Sequence, residues 1–234
     1  MIQLQKADSV FQVDQGWLKS RFYYSFADYY DPNNVSFGPM RVLNDDIVQA
    51  GRGFGRHPHR EMEIVSIVLS GHLAHEDSKG NQASTTYGQI QRMSAGTGIL
   101  HSEMNPSETE AVSLLQMWFT PEQSKLEPSY EHTSFDLSAM KNRLLPVVAR
   151  HSSPGIAQIH QDLTIYLTEM EAGQQRAFTQ SSDRRVFLFV IDGQIEIEDQ
   201  GTIMERRDSA RIEQLPELNL IAKQNTRLML IDLP

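Results

Sequence analysis

An all-β protein with very little helix, assembled from two copies of one β unit, is what this 234-residue sequence predicts. Three observations carry that expectation. Short apolar runs alternate with glycine, asparagine and aspartate at the spacing of sandwiches and barrels. Helical periodicity is weak throughout. One stretch of the chain is repeated.

The runs, in order, are Met40 to Leu43, Ile64 to Leu69, Ser113 to Phe119, Val186 to Ile191, Ile195 to Ile197 and Arg227 to Ile231. Valine, isoleucine, leucine and phenylalanine dominate them, and each is too short for an ordinary globular helix, so they read as buried strands. The best helical candidate, Ser138 to Asn142, is brief. The repeat sets Ile64 to Asp77 against Val186 to Asp199 at a constant offset of 122 residues. Apolar positions, the turn glycines Gly71 and Gly193, and the closing pairs Glu76-Asp77 and Glu198-Asp199 all coincide. Between the copies, the polar and proline-bearing Thr120 to Ser134 reads as a crossover or linker. The expected domains are therefore residues 1–125 and 136–234.

Composition excludes several functions. With 21 basic against 30 acidic residues the chain carries a formal charge of −9, and no run of lysine or arginine forms a patch for a nucleic-acid backbone. There is no cysteine, hence no disulfide, thiolate metal site or cysteine nucleophile. No apolar segment is long enough for a membrane span, and Met1 to Asp8 lacks the apolar stretch of a secretory signal, so a cytoplasmic protein is expected.

The chemistry-bearing residues are His57-Pro58-His59 and His101-Ser102-Glu103. Residues i and i+2 of a strand point to the same side, so each pair can face one cavity. Three imidazoles and a carboxylate suit a divalent transition metal, and this donor set with open positions is usual in non-haem Fe(II) oxygenases. Pro58 removes a backbone donor and holds φ near about −65°, which suits an edge or irregular strand. A single histidine in a soluble chain is usually a surface or core hydrogen-bonding residue; His72, His75, His132, His151 and His160 are read that way. Glu63, four residues from His59 with the same strand parity, competes with Glu103 for the carboxylate position. The spacing does not choose between them.

In the repeat register Thr179 and Ser181 fall opposite His57 and His59, and Lys223 and Asn225 fall opposite His101 and Glu103. The second copy is thus expected to lack the metal site. Phe26, Met104, Met117 and Trp118 are candidates for an apolar lining.

At these residues the chain resembles a known family. Gly51, His57, His59, Glu63 and Gly71 are similar to the first cupin motif, and Gly88 through His101 with Asn105 to the second. More narrowly, His-Pro-His-Arg at 57–60, Ser94 through Glu103, the His75-Glu-Asp-Ser run and Phe26 through Pro32 resemble the pirin family. Two departures from the general cupin pattern are Ser94 in place of a proline and two extra residues between Gly96 and His101.

The resemblance implies two cupin jelly-roll barrels, the first holding a metal on His57, His59, His101 and Glu103 and the second metal-free. It implies a non-haem Fe(II), where the histidine-rich donors by themselves suit nickel, manganese, copper or zinc as well, and a quercetin 2,3-dioxygenase activity that cleaves a flavonol with dioxygen and releases carbon monoxide. Glu103 would serve as the catalytic base. The partners would be a flavonol-like small molecule and dioxygen, with no nucleic acid and no membrane. Animal pirins imply an alternative: a non-enzymatic, iron-binding regulator acting through protein partners.

Overall fold

A computed structural model describes the chain from Met1 to Pro234, the side chain of Asp199 excepted. The chain forms two compact units, each described by itself: Phe11–Phe135 with Arg150–Gln161, and Met1–Val10 with Asp136–Ala149 and Asp162–Pro234. A division of the sequence at residues 125 and 136 does not contain this crossing of the first ten residues into the later unit.

The unit that holds the histidine pairs has two antiparallel sheets. In the larger, strands lie side by side in the order Ser129–Ser134, Gln89–Ser94, Glu63–Ser70, Val112–Phe119, Met40–Val48, Leu18–Phe22 and Phe11–Asp14. In the smaller the order is Gly53–His59, Ile99–Met104, Leu73–Asp77 and Gln82–Thr85. Alternate residues along these strands produce three interior layers. Leu18, Val48, Val68, Leu73, Val112 and Leu114 pack together in one apolar layer. Ile64, Met93, Ala95 and Ile99 form another, with Trp118 and Tyr130 against it. Along the same rows, between these two layers in sequence parity, stand Ser20, Asp46, Ser66, Gln91, His101, Glu103 and Gln116, all buried. A polar belt inside an apolar barrel is costly unless its groups find partners, and it marks where chemistry can occur.

The second unit repeats the plan. Its larger sheet runs Ile2–Gln5, Ser209–Glu213, Arg185–Asp192, Thr226–Leu233, Thr164–Met170 and Leu145–Ala149; its smaller runs Gln175–Thr179, Glu217–Ala222, Gln194–Ile197 and Thr202–Glu205. Val186, Leu188, Val190, Ile195, Ile197, Ala210, Ile212, Leu218, Leu220, Leu228 and Leu230 fill its core with hydrocarbon. Among the described residues no polar belt interrupts that cluster.

All six apolar runs are strands, and helix is confined to short 3-10 turns such as Leu137–Met140, which Asp136 caps by accepting from the Ser138 amide at 2.9 Å. The expected linker differs in one respect, because its later part is the strand Ser129–Ser134, paired with Gln89–Ser94. An edge strand that is half solvated has no apolar run to announce it. Gly71 and Gly193 occupy the same hairpin turn of the two units with φ of 79° and 87°. A Cβ on Gly71 would lie 2.8 Å from the Ala111 carbonyl oxygen, and one on Gly193 would collide with that of Asn225. Among the described residues no helix is long and apolar enough to cross a membrane.

The repeat register needs correcting for the last strand of the smaller sheet. Glu103 pairs with His75, and the repeat partner of His75 is Ile197, which pairs with Leu220. Leu218 and Leu220, rather than Lys223 and Asn225, therefore stand where His101 and Glu103 stand in the first unit. Shorter connections before this strand shift it by more than a residue or two. Asp199, which closes the second copy, lies outside the described side chains.

Candidate metal centre

His57 and His59 reach the interior from Gly53–His59, an edge strand, which explains why Pro58 is tolerated there. Its neighbour Ile99–Met104 pairs His101 directly with His57, and the register then shifts before Glu103 meets Phe54. This bulge sits between the two second-strand donors and re-aims the chain locally. Nitrogen atoms of His57, His59 and His101 lie within 4.8 Å of one another. The Nε2 atoms of His57 and His101 are 3.0 Å apart. Glu103 groups with His101 and His75 within the same 4.8 Å limit, and it lines one cavity with His57. Glu63 joins neither group; its Oε1 accepts from the Ser94 hydroxyl at 2.6 Å and from the His160 amide at 3.0 Å.

The donor set fits a transition cation on two observations. The buried Nε2 of His59 has no hydrogen-bond partner among the described residues, although a buried imidazole nitrogen without one is costly. His57 presents Nδ1 to the Gly55 carbonyl at 2.7 Å, which holds the ring as the Nδ1–H tautomer and leaves Nε2 as a lone pair facing His101. Burial, reinforced by the neighbouring imidazoles, lowers His59 to about 4 and His101 to about 3. Both rings are therefore neutral, as metal ligands must be. His57, His59 and His101 are side chains that could hold the ion, with the carboxylate of Glu103 beside His101.

Glu103 is held on both oxygens. Gln91 Nε2 donates to Oε1 at 2.6 Å, Gln116 Nε2 donates to Oε2 at 2.7 Å, and the Ser66 hydroxyl donates to Oε1 at 3.4 Å. A carboxylate offers about four lone-pair sites, so these donors leave room for one more partner. Beside it is a cavity of about 210 Å³ lined by Leu18, Phe22, Phe26, Phe54 and Trp118 among apolar groups and by Asp46, His57, Glu103 and Gln116 among polar ones. Of the expected lining residues, Phe26 and Trp118 are there. Met117 is instead in the fully buried core, and Met104 is 36% exposed.

Sequence reasoning missed several partners. His75, read as structural or solvated, is 3% exposed and packs its ring on Tyr130 at 4.2 Å, with Nδ1 3.4 Å from His101 Nδ1. Nor does the sequence reading single out a site role for Asp77 beside it, or for Gln91, Gln116 and Ser66 around Glu103. A signal was available: Leu73, His75 and Asp77 alternate on one strand face, and Gln91 and Gln116 interrupt rows that are otherwise apolar. Asp46 is a further buried carboxyl in the cavity, bonded to the Ser20 hydroxyl. His72, His132 and His151 are exposed, as expected.

Comparison with known proteins agrees with this architecture. A family model described as Pirin matches residues 4–119, and one described as a quercetinase C-terminal cupin domain matches residues 147–233. A quercetin 2,3-dioxygenase of Escherichia coli strain K12 is 40% identical over 234 residues, covering 100% of this chain and 99% of its own. A pirin-like protein of Caulobacter vibrioides is 33% identical over 233 residues, covering 99% of each chain. The crystal structure of the bacterial pirin YhhW from Escherichia coli in complex with nickel(II) superposes with a TM-score of 0.94 at 38% identity, covering 100% of this chain and 99% of that one.

Proposed function

This chain belongs to the pirin family, and from that premise we propose that it is a cytoplasmic, metal-dependent dioxygenase that cleaves a flavonol such as quercetin with dioxygen, giving a depside and carbon monoxide. The observation that carries the proposal is the set of neutral imidazoles converging beside an apolar cavity, with an unpartnered Nε2 on His59. In this reading the metal belongs to the part of residues 1–125 that lies in the unit of Phe11–Phe135, and the later unit, to which Met1–Val10 and most of residues 136–234 belong, is metal-free. Iron(II) is the proposed native metal; nickel, manganese, copper and zinc can use the same donors.

A divalent metal held by His57, His59, His101 and Glu103 would supply Lewis-acid stabilisation of a substrate oxyanion and a route for dioxygen chemistry. The chain does the rest. Phe26, Phe54 and Trp118 present apolar faces to a planar aromatic substrate and keep water from the reacting ring. The cavity is smaller than the roughly 300–1,000 Å³ of common ligand sites, so one ring system sits inside and the remainder lies at the mouth. Gln91 and Gln116 hold Glu103 in one orientation. Glu103 accepts the proton of the flavonol 3-hydroxyl, and the long Ser66 contact is the one that yields to it.

The test is oxygen uptake by the iron-loaded protein with quercetin, with carbon monoxide measured in the headspace. Uptake should depend on the flavonol, anaerobic incubation should give a bound complex without product, and His101→Ala should lose both metal and turnover. Equal consumption of quercetin with and without dioxygen would sink the proposal. So would silence across several flavonols, which would favour a regulatory metal-binding role.

A further inference from the structure

We propose that Asp77 and His75 form a hydrogen-bonded relay that fixes the tautomer of His101, so that a carboxylate two side chains away keeps the His101 Nε2 lone pair aimed at the metal position. The inference rests on the metal reading above and adds two positioning residues to it.

The distances define the relay. Asp77 Oδ2 is 3.3 Å from His75 Nε2, and His75 Nδ1 is 3.4 Å from His101 Nδ1. His101 Nε2 then faces His57 Nε2 at 3.0 Å. The side chains of His75 and Asp77 are both 0% accessible, so water does not substitute for any link. Asp77 is anchored independently: Oδ1 accepts from the Lys79 amide at 2.8 Å and the Asn81 amide at 3.1 Å, and Oδ2 accepts from Asn81 Nδ2 at 2.9 Å.

Polarity follows from valence. An ionised carboxylate only accepts, so His75 carries its proton on Nε2 and offers a lone pair at Nδ1. That lone pair accepts from His101 Nδ1–H. His101 is left with a lone pair at Nε2, the atom turned toward His57. The two metal-facing rings are thus set by different means: His57 by the Gly55 carbonyl, which no substitution removes, and His101 by side chains, which can be changed. His75 and its Nδ1 are occupied in this relay, so the grouping of His75 with His101 and Glu103 is not a second metal site.

Asp77→Asn reverses the relay while altering almost no volume. The two backbone donors at Oδ1 hold the amide oxygen there, and with the Asn81 side-chain amide turned over to offer its oxygen in place of Nδ2, the NH2 lies against His75. His75 must then accept at Nε2 and donate from Nδ1, and His101 is driven to carry its proton on Nε2, facing the cation. Loss of such an orienting partner costs about 10–100-fold in metal affinity.

The experiment uses the full chain, nitrogen-15 labelled and metal-free. Long-range proton–nitrogen correlation should show His101 protonated at Nδ1 in the wild type and at Nε2 in Asp77→Asn. His75→Phe, which keeps a ring stacked on Tyr130 and deletes both bonds, should give a mixture of the two tautomers. In titration with nickel(II) alone, the wild type should bind one ion per chain and Asp77→Asn should bind it about 10–100-fold more weakly. The relay is overturned by a wild-type His101 protonated at Nε2, by an unchanged tautomer in both variants, by undiminished nickel affinity in Asp77→Asn, or by two ions per chain. A wild type that takes up no nickel overturns the metal reading alone, and the tautomer of His101 still decides the relay.

Discussion

At the scale of the residue, Asp46 is a group outside the proposed ligand set whose environment moves it far from its free-chain behaviour. Burial pushes its carboxyl up to about 7 from 3.8, with the charges of Asp45 and Glu103 acting in the same direction and the Ser20 hydroxyl opposing them. Between those values the folded protein keeps a proton that the unfolded chain has released. Stability from this group therefore falls as pH rises from about 4 to about 7 and is level above that, a loss of about 4 kcal/mol at most. Asp46→Asn does not ionise and can still accept from Ser20. The metal-free variant should gain stability over wild type at pH 8 and little at pH 4, measured by urea unfolding; an equal difference at both pH values would disprove the shift. His59 and His101 act with the opposite sign, because their folded values of about 4 and about 3 lie below 6.5. Below pH 6.5 the unfolded chain binds protons that those rings refuse, so stability falls with acid in both proteins. Comparing variant with wild type at each pH isolates Asp46.

At the scale of the element, the two hairpin turns are held by backbone geometry. Gly71→Ala places a methyl at φ of 79°, with a backbone carbonyl 2.8 Å from it. Gly80 has a similar φ of 88° with nothing within 4 Å of a would-be Cβ. Both alanine variants carry the conformational cost of about 1 kcal/mol or more, and only Gly71→Ala adds a collision with main chain that cannot rotate away. Thermal unfolding should show the larger loss for Gly71→Ala, and equal losses would mean that the close approach contributes nothing. The edge position of Gly53–His59 has a related consequence: its free side tolerates Pro58, and its bulge opposite Ser102 lets donors from two strands converge. The histidine spacing was legible because a period of two belongs to any strand. The bulge was not, because it depends on which strand lies alongside.

At the scale of the whole molecule, Ile2–Gln5 completes the sheet of the later unit by pairing with Ser209–Glu213, Ile2 opposite Ile212. Removing Met1–Val10 uncovers the edge of that strand, and an unpaired apolar edge invites association. The truncated protein should unfold at lower temperature and form oligomers on size-exclusion chromatography, while residues 11–135 still provide every proposed metal donor. A monomer of undiminished stability would show that this strand is dispensable. The local polar pattern of Ile2-Gln3-Leu4-Gln5 could not reveal this partner, since pairing across the length of the chain leaves no periodic signature.

The sequence by itself determined the β class, the two-fold repeat of a hairpin with its turn glycines, and the close pairs His57/His59 and His101/Glu103, because each depends on residue type at short spacing. The spacing leaves Glu63 and Glu103 both open and the family resemblance implies Glu103; the tertiary structure brings Glu103, and not Glu63, beside His101. It buries Glu63 against Ser94 and His160 and brings Glu103 to His101 and the cavity. It also put Leu218 and Leu220 at the corresponding places of the later unit and brought His75 and Asp77 behind His101. Strand parity states which side a residue faces; which residues share that side is set by register between strands remote in sequence, and register is a property of the assembled sheet.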